Sequence, residues 1–409
     1  MFLPVYNPNH LYLELTNKCN AVCAHCGNCS GPDSDVSLEK STITNIMNSA
    51  KKSGISIYSL SGGEVFLDFE KVLHTIKEAK INKLKPNQIN TNAFFANSVD
   101  ECGGFLEKLK DEGYKEPYRI YRDELKKLRF FPPTKEKYHE NAYGGGFALS
   151  LDSFHEKFVD PKNVSNFIKA HYNVFGNTEN LEVVVAYDLD YKLSLKPLIK
   201  FLNNLHGSGL DVVECYQNEK ELNTITRIMD EHKLRLKSGD ISFRFFPPIP
   251  AGRARNFDFE TKILTKDDFA QEICSCSLFC QEPATILVKP DGKSYAALDF
   301  LCESEGMYLG NVYETSLKTL IKKGQNNFII DIISFDGANT LQYFMEKNNI
   351  SVDIESTSPC HFCNQVLSDG ELIEELKRAY SGLGWFKEEM RRYNLLKAKF
   401  RLSNMGICL

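Results

Sequence analysis

The chain has 409 residues, of which 42% are hydrophobic and 25% are charged, and its formal net charge is −5. This apolar fraction excludes a disordered chain, and the negative charge argues against a general nucleic-acid binder. No stretch is long and apolar enough for a membrane span, and the first residues lack a signal-peptide pattern, so we expect a cytoplasmic protein without a membrane partner. The length predicts two or three units, or one enzyme-sized barrel with an appendage.

The first 250 residues alternate between strand-like and helix-like patterns. Apolar and polar residues alternate from Leu11 to Leu15, and apolar residues recur at helical spacing between Leu38 and Ala50, before Gly54. The pattern continues with predicted strands at 55–60, 88–95, 147–152, 181–189, 210–216 and 241–246, and with predicted helices that begin after Asp68 and lie near 162–175, 195–205 and 219–234. Such alternation predicts repeated βαβ units around a parallel sheet, either open or closed into a barrel.

Polar motifs follow the predicted strands at their carboxyl ends. In both kinds of parallel sheet, ligands bind at this end. The motifs are Cys19/Cys23/Cys26, SGGE (61–64), TNA (91–93), Ser150 with Asp152, and PPIPAGRAR (247–255). We therefore expect them to converge on one rim of the sheet.

Two regions depart from the alternation. Residues 97–146 are longer than a usual crossover and carry mixed charges and many aromatic residues. A helical decoration with a solvated charged face is the favoured interpretation, and a substrate-contacting insert is the alternative. After residue 256 the alternation stops: 270–365 carries cysteines and a predicted hairpin at PDG (290–292), and 366–409 is predicted to be a charged helical tail.

Three of the 13 cysteines form the pattern C-x3-C-x2-C on one short loop, at Cys19, Cys23 and Cys26. Thiols at short fixed spacing in a non-secreted chain indicate metal or redox chemistry before disulfides. Thiolate-only ligation suits zinc or an iron-sulfur cluster. Structural zinc is usually closed by four ligands, whereas three cysteines on a [4Fe-4S] cluster leave one iron open to a small molecule.

Several motifs in this order resemble the radical S-adenosylmethionine (SAM) superfamily. They are LELTNKCNAVCAHC (13–26), SGGE, TNA, SLDSFHEKF (150–158) and PAGRAR (250–255). The resemblance implies a partial (β/α)6 barrel over about 10–256. It also implies that the open iron binds SAM, whose one-electron reduction yields methionine and a 5'-deoxyadenosyl radical that takes hydrogen from the substrate.

The resemblance also implies roles for individual residues. Cys19, Cys23 and Cys26 would ligate the cluster, and Cys29 would be a bystander, because a fourth ligand would close the open iron. In SGGE, the glycines would let the backbone approach the cofactor and Glu64 would accept a hydrogen bond from the SAM ammonium. Further expected SAM contacts are His25, which stands where the family usually has a large aromatic residue, Gly62, Gly63, Asn92, Ser150, Asp152 and Arg253.

A second group of cysteines follows the barrel-like region. The run from Cys280 through PDGKSY to Cys302, then YLGNVYETSLKTLI (308–321) and CHFC (360–363), resembles the SPASM/twitch extension of radical SAM enzymes. It implies one auxiliary [4Fe-4S] cluster held by Cys280, Cys302, Cys360 and Cys363. Cys274 or Cys276 could replace one ligand, and zinc is the alternative metal. Cys102, Cys215 and Cys408 have no partner spacing and are expected to be buried small residues or bystanders.

The sequence thus predicts a radical SAM barrel at 1–256 with an insert at 97–146, an auxiliary-cluster domain at 257–365 and a helical tail at 366–409. The expected substrate is a ribosomally made precursor peptide that is crosslinked or oxidised. The alternatives are a dehydrogenase, epimerase or mutase acting on a small molecule, with Cys215 as a candidate hydrogen donor for an epimerase, and a non-catalytic protein stabilised by zinc. The expected electron donor is a protein such as flavodoxin or ferredoxin. Because the sequence has no obvious peptide-recognition domain before the first strand at about residue 11, we expect a leader peptide to be bound by the 97–146 insert, by the tail or by a separate leader-binding protein.

Overall fold

The structure is a computed structural model. It describes residues 6–114, 146–187, 192–206, 210, 225, 228, 231–236, 238–246, 251–256, 285–296, 303–333, 337–352, 354, 356 and 358–380.

Ten strands and ten α-helices are defined within these residues. The strands are β1 (His10–Thr16), β2 (Ile57–Gly62), β3 (Lys85–Thr91), β4 (Gly146–Ser150), β5 (Leu181–Ala186), β6 (Lys233–Leu236), β7 (Gly239–Phe246), β8 (Thr285–Val288), β9 (Lys293–Tyr295) and β10 (Tyr308–Asn311). The helices are α1 (Lys40–Lys52), α2 (Phe69–Ile81), α3 (Val99–Glu112), α4 (Pro161–Phe175), α5 (Lys192–His206), α6 (Leu317–Gln325), α7 (Phe328–Ile333), α8 (Ala338–Lys347), α9 (Pro359–Ser368) and α10 (Gly370–Ala379).

All ten strands belong to one sheet, in the order β10-β9-β8-β1-β2-β3-β4-β5-β7-β6. From β1 through β5 to β7, neighbouring strands are parallel. The predicted α/β class with a central parallel sheet is therefore confirmed. Six parallel strands in chain order fit the predicted partial barrel, and β6 and β10 stand at the two ends of the strand order among the described residues.

The two faces of the sheet differ in chemistry, as β1 shows. Successive side chains of a strand point to opposite faces. Leu11, Leu13 and Leu15 are fully buried in the main apolar core. The alternate residues are polar: His10 Nε2 lies 2.9 Å from Ser59 Oγ of β2, and Tyr12 Oη accepts a hydrogen bond from Asn90 Nδ2 of β3 at 2.7 Å. One face is thus apolar and the other polar.

Local signals explain most helix boundaries. Asp68 accepts a hydrogen bond from the backbone N–H of Lys71 and caps α2, as predicted. Asp160 caps α4 in the same way, with Pro161 at the first helical position. Helix α1 ends one residue before Ser53, and Gly54 follows with a φ of +84°. These elements place the loops after β1, β2 and β3 at the same edge of the sheet.

Two elements differ from the sequence predictions. The helix expected near 219–234 is wrong at its end, because Lys233–Leu236 forms β6, which pairs with β7 in antiparallel fashion and presents Leu234 and Leu236 to the core. The predicted strand at 210–216 lies outside the described residues except for Leu210. The packing of Leu234 and Leu236 against β7 outweighs the helical periodicity on which the prediction was based.

The region after residue 256 joins the same sheet. The predicted hairpin at PDG is confirmed as β8–β9, with Gly292 at a φ of +82°. Strand β8 also pairs with β1 in parallel, Leu13 opposite Val288, which the sequence did not indicate. The tail is helical through α10, and residues 381–409 lie outside the description.

The crossover from β3 to β4 begins with α3, which packs on α4. The rest of the predicted insert, 115–145, lies outside the described residues, so its role stays a prediction, as do the domain boundaries at 256 and 365. Among the helices described, none combines the length and the apolar character needed to cross a membrane.

Candidate functional site

The loop after β1 holds four cysteines, none of them in a disulfide. Cys19 and Cys23 are buried, Cys26 is half-buried and Cys29 is exposed. The backbone N–H of Cys19 donates to Gly31 O at 3.0 Å, and that of Cys26 donates to Cys23 O at 3.2 Å. These bonds fold 19–31 into a compact turn that directs Cys19 and Cys23 inward.

The first three thiols lie close enough to influence one another. Burial, with a smaller contribution from negative charge on Glu64, Cys23 and Cys26, raises the pKa of Cys19 to about 11, and the N–H of Ala21, which donates to Cys19 Sγ at 3.4 Å, limits the rise. Three thiolates on one partly buried loop require positive charge to be stable. This donor set therefore fits an iron-sulfur cluster.

The glycines of SGGE approach the chain that leads into the cysteine loop. Gly63 N–H donates to Thr16 O at 2.6 Å, and Glu64 N–H donates to Lys18 O at 2.8 Å. A Cβ at Gly62 or at Gly63 would overlap the backbone of Thr16 or Lys18, and Gly62 has a φ of +131°. The backbone that leaves no room for a side chain at Gly62 and Gly63 is therefore the segment that leads into the cysteine loop.

Glu64 joins SGGE to TNA. Its side chain is fully buried, with Oε1 accepting from Phe66 N–H at 3.0 Å and from Thr91 Oγ1 at 2.9 Å, and Oε2 accepting from Asn92 N–H at 2.8 Å. Burial raises the pKa of Glu64 to about 7, and these hydrogen bonds limit the rise. Thr91 Oγ1 also lies 3.0 Å from Oε2, so both oxygens of this carboxylate are held by hydrogen bonds.

Glu64 should make stability depend on pH. Its folded pKa of about 7 lies above its ordinary value of 4.5, so the folded state is favoured when the carboxyl is protonated. This stability is fully present below pH 4.5 and is lost as the pH rises to about 7, by roughly 3 kcal/mol. We expect the unfolding free energy of Glu64→Gln, relative to the parent, to increase over this window in urea titrations of the metal-free protein. A difference that does not change with pH would contradict the assignment.

Asn92 lies beside the first cysteine. Its Nδ2 donates to Asn20 Oδ1 at 2.9 Å and lies 4.0 Å from Cys19 Sγ, and its Oδ1 accepts from Phe94 N–H at 3.0 Å. Asn92 therefore links the end of β3 to the cysteine loop, and its contact with SAM stays a prediction.

Asp152, which follows β4, is buried and already hydrogen-bonded. It accepts from the N–H groups of Phe154 and His155 at 2.9 and 3.0 Å and from His155 Nδ1 at 2.9 Å. Burial by itself would raise the pKa of Asp152, but His155 and these hydrogen bonds hold the pKa below its ordinary value. The structure therefore shows Asp152 holding a turn and a histidine, while Ser150 is half-buried at the end of β4.

His155 is a site residue that the sequence prediction did not single out, although SLDSFHEKF contains it. The ring centroid of His155 lies 5.0 Å from that of His25, and the ring centroid of Phe154 lies 4.5 Å from that of His25. Burial lowers the pKa of His25 to about 4, and Nδ1 of this neutral ring is buried without a hydrogen-bond partner among the described residues. The spacing of Asp152 and His155 three residues apart was the signal that could have identified the pair.

The turn after β7 packs against the cysteine loop. Arg253 N–H donates to Cys26 O at 3.0 Å, and its Nε donates to Cys23 O at 2.9 Å. Gly252 has a φ of +54°, and a Cβ there would overlap the carbonyl oxygen of Gly27. Nη2 of Arg253 is buried and has no hydrogen-bond partner in the part of the chain described, so it is a donor suited to an anionic group.

The structure describes part of the second cysteine group. Cys360 and Cys363 lie three residues apart on α9, whose first turn Ser358 caps. Burial and the charge of Arg255 lower the pKa of His361, which places the start of α9 near the 253–255 turn. Cys274, Cys276, Cys280 and Cys302 lie outside the described residues, as do Cys215 and Cys408. Cys102 is fully buried in the core.

Comparisons with known proteins agree with this site. A family model described as a 4Fe-4S single cluster domain matches residues 11–109, which include the cysteine loop, SGGE and TNA. YydG of Bacillus subtilis (strain 168), named as a peptide biosynthesis protein, is 22% identical over 366 residues, 88% of this chain and 92% of its own. GTP 3',8-cyclase of Clostridium botulinum (strain Okra / Type B1) is 28% identical over 132 residues, 31% of this chain and 39% of that protein.

Among solved structures, SuiB of Streptococcus suis bound to S-adenosylmethionine matches with a TM-score of 0.43 and 14% identity, over 88% of this chain and 77% of that chain.

Proposed function

We propose that this chain, a radical SAM enzyme that uses a [4Fe-4S] cluster and SAM, modifies a ribosomally made precursor peptide. The observation that carries the proposal is the way Glu64 joins three motifs. Its N–H donates to Lys18 O beside Cys19, and its carboxylate accepts from Thr91 and Asn92 of TNA. The cysteine loop, SGGE and TNA therefore form one site at the carboxyl ends of β1, β2 and β3.

In this proposal Cys19, Cys23 and Cys26 hold the cluster. When bound there, the cluster would supply the electron for reductive cleavage of SAM to methionine and a 5'-deoxyadenosyl radical, the species that would take hydrogen from the substrate. The protein's own contribution is to hold the three thiols on one short loop and to shield them partly from water. Ala21 N–H supports Cys19, and Arg253 supports the carbonyls of Cys23 and Cys26. Cys29, exposed and at a φ of +53°, is not required as a ligand.

The side chains around the thiols provide complementary groups for SAM. Arg253 Nη2 is a buried donor for the carboxylate of the methionine moiety, and Glu64 is the acidic side chain proposed for its ammonium. An ammonium beside Glu64 would favour the ionised carboxylate and so lower its raised pKa. His25, neutral and planar, takes the place beside adenine, with Asn92 and Ser150 at the neighbouring strand ends. Asp152 contacts both His25 and His155 and would act by holding these two rings in position.

The extent of the similarities supports a peptide rather than a small-molecule substrate. The similarity to YydG, which is named for peptide biosynthesis, runs over 88% of this chain and so includes the extension. The similarity to GTP 3',8-cyclase covers 31% of this chain. Of these two similarities, the one that extends through most of this chain is to the protein named for peptide biosynthesis.

The proposal includes an auxiliary [4Fe-4S] cluster in the extension, held by Cys280, Cys302, Cys360 and Cys363. Cys360 and Cys363 lie three residues apart on α9 and so share one face of this helix. A flavodoxin or ferredoxin would supply electrons. A separate protein would bind the leader of the precursor peptide.

An anaerobic reconstitution tests the function. The protein is loaded with iron and sulfide, reduced and mixed with SAM, and we expect 5'-deoxyadenosine by chromatography. A short peptide encoded beside the gene is then co-expressed, and we expect its mass to fall by two hydrogens in mass spectrometry, as crosslinking or oxidation requires. Absence of 5'-deoxyadenosine would overturn the radical chemistry. Turnover of SAM without any change in the peptide would overturn the peptide substrate alone.

A further inference from the structure

A buried ion network links the extension to the cysteine loop. Nζ of Lys289 lies 2.7 Å from Glu14 Oε2, donates to Asn28 Oδ1 at 3.1 Å and also pairs with Glu303. Asn28 Nδ2 in turn donates to Glu14 Oε1 at 3.1 Å. The side chains of Lys289 and Glu14 are 9% and 1% exposed, so this is an interior network and not a surface pair.

The residues of this network come from separate parts of the fold. Glu14 belongs to β1, and Lys289 directly follows β8, which pairs with β1 with Val288 opposite Leu13. Asn28 lies two residues after Cys26, within the cysteine loop. Glu303 follows Cys302, a proposed ligand of the auxiliary cluster. One lysine from the extension therefore bonds to the first strand and to the loop that carries the thiols.

The segment 26–28 is held from two sides. On one side Cys26 O accepts from Arg253 N–H, and Gly27 O lies against Gly252. On the other side Asn28 is bonded to Lys289 and Glu14. A change in the position of Asn28 would therefore shift both Cys26 and the turn that carries Arg253 Nη2.

A buried lysine is stable only with compensating charge, and here two carboxylates provide it. A neutral residue at 289 would leave Glu14 buried without its cation and Asn28 Oδ1 without this donor. The first loss affects stability, and the second affects the position of the loop. The two effects can be separated, because glutamine at position 14 removes the charge while keeping a side chain of the same shape.

We propose that Lys289 is a positioning residue through which the extension fixes the thiol loop and the SAM-binding turn. The proposal rests on the proposed ligation of a cluster by Cys26 and on SAM binding at Arg253, and it does not depend on the identity of the substrate.

The test compares reconstituted holoenzymes carrying Lys289→Met, Lys289→Arg, the double change Glu14→Gln with Lys289→Met, and Lys293→Met. Lys293 is the matched control, because it lies on the same hairpin and pairs at 3.0 Å with Asp291 at the exposed surface. The measurements are bound iron, SAM affinity by equilibrium dialysis, and the electron paramagnetic resonance signal of the reduced cluster with and without SAM.

We expect Lys289→Met to weaken SAM binding at least fivefold and to alter the SAM-induced change in the resonance signal. Lys289→Arg should restore most of the affinity, and Lys293→Met should match the parent. The double variant should regain stability but keep the weakened SAM binding, because Asn28 still lacks its donor. If Lys289→Met alone does not fold, the SAM affinity of the double variant still tests the proposal.

Full recovery of SAM affinity in the double variant would overturn the proposal, since charge compensation alone would then explain Lys289. Equal behaviour of Lys289→Met and Lys293→Met would overturn it as well. A parent protein that binds neither iron nor SAM would contradict the proposed function itself, and the two failures are therefore distinguishable.

Discussion

Alanine in place of Cys23 is expected to abolish reductive cleavage of SAM. Cys23 is buried, and its carbonyl is bonded to Arg253, so the loop keeps its fold when the thiol is removed. A three-cysteine site that loses one ligand cannot hold the cluster while leaving one iron open. We expect 5'-deoxyadenosine formation to fall by more than about 100-fold, the upper end of what changes around the ligands cause, and bound iron to fall with it.

Cys29→Ala is the matched control, three residues beyond Cys26 on the same loop. Its side chain is exposed, and alanine at a φ of +53° adds no strain that cysteine does not already have. We expect iron content and SAM cleavage to stay close to those of the parent. If Cys29→Ala loses the activity and Cys23→Ala retains part of it, the assignment of the ligands is wrong.

Alanine at Gly63 is expected to lower the stability of the protein strongly. The added Cβ would overlap Lys18 O and approach the backbone of Asn17, which a flexible side chain cannot relieve because the neighbours are main-chain atoms. Moving them apart breaks the bonds from Gly63 N–H to Thr16 O and from Glu64 N–H to Lys18 O. We expect a loss of about 3 kcal/mol or more in the free energy of unfolding, measured in urea.

Gly103→Ala provides the comparison. Gly103 lies inside α3, and an added Cβ meets nothing within 4 Å. Alanine should stabilise the helix by roughly 0.5–1 kcal/mol, because it lowers the entropy of the unfolded chain. Should both variants lose the same stability, the close approach at Gly63 would not be the cause.

Local patterns in the sequence identified most of the sheet. The alternation from Leu11 to Leu15, the cap at Asp68 and the turn at Gly292 each depend on neighbours within a few residues, so the sequence alone contains their causes. The motifs at the strand ends were placed at one rim for the same reason, because parallel strands end on the same edge.

Long-range features could not be predicted in this way. The pairing of β8 with β1 joins residues about 275 positions apart, and no pattern in TILV (285–288) names its partner. The bonds of Glu64 to Thr91 and Asn92 likewise require the register of β2 and β3. Lys289 and Asp152 appear polar and exposed in sequence, and their burial follows only from the charges and turns that surround them.

The parallel pairing of β1 with β8 also determines the order in which the chain can mature. During synthesis β1 emerges first, but one of its edges has no partner until residues 285–288 have left the ribosome. An unpaired edge of this kind is a template for aggregation, and non-local pairing is slow to form. Likewise, Glu14 cannot form its ion pair until Lys289 has been synthesised. We therefore expect the thiol loop to reach its final shape only after most of the chain has been made, so that metal loading follows translation.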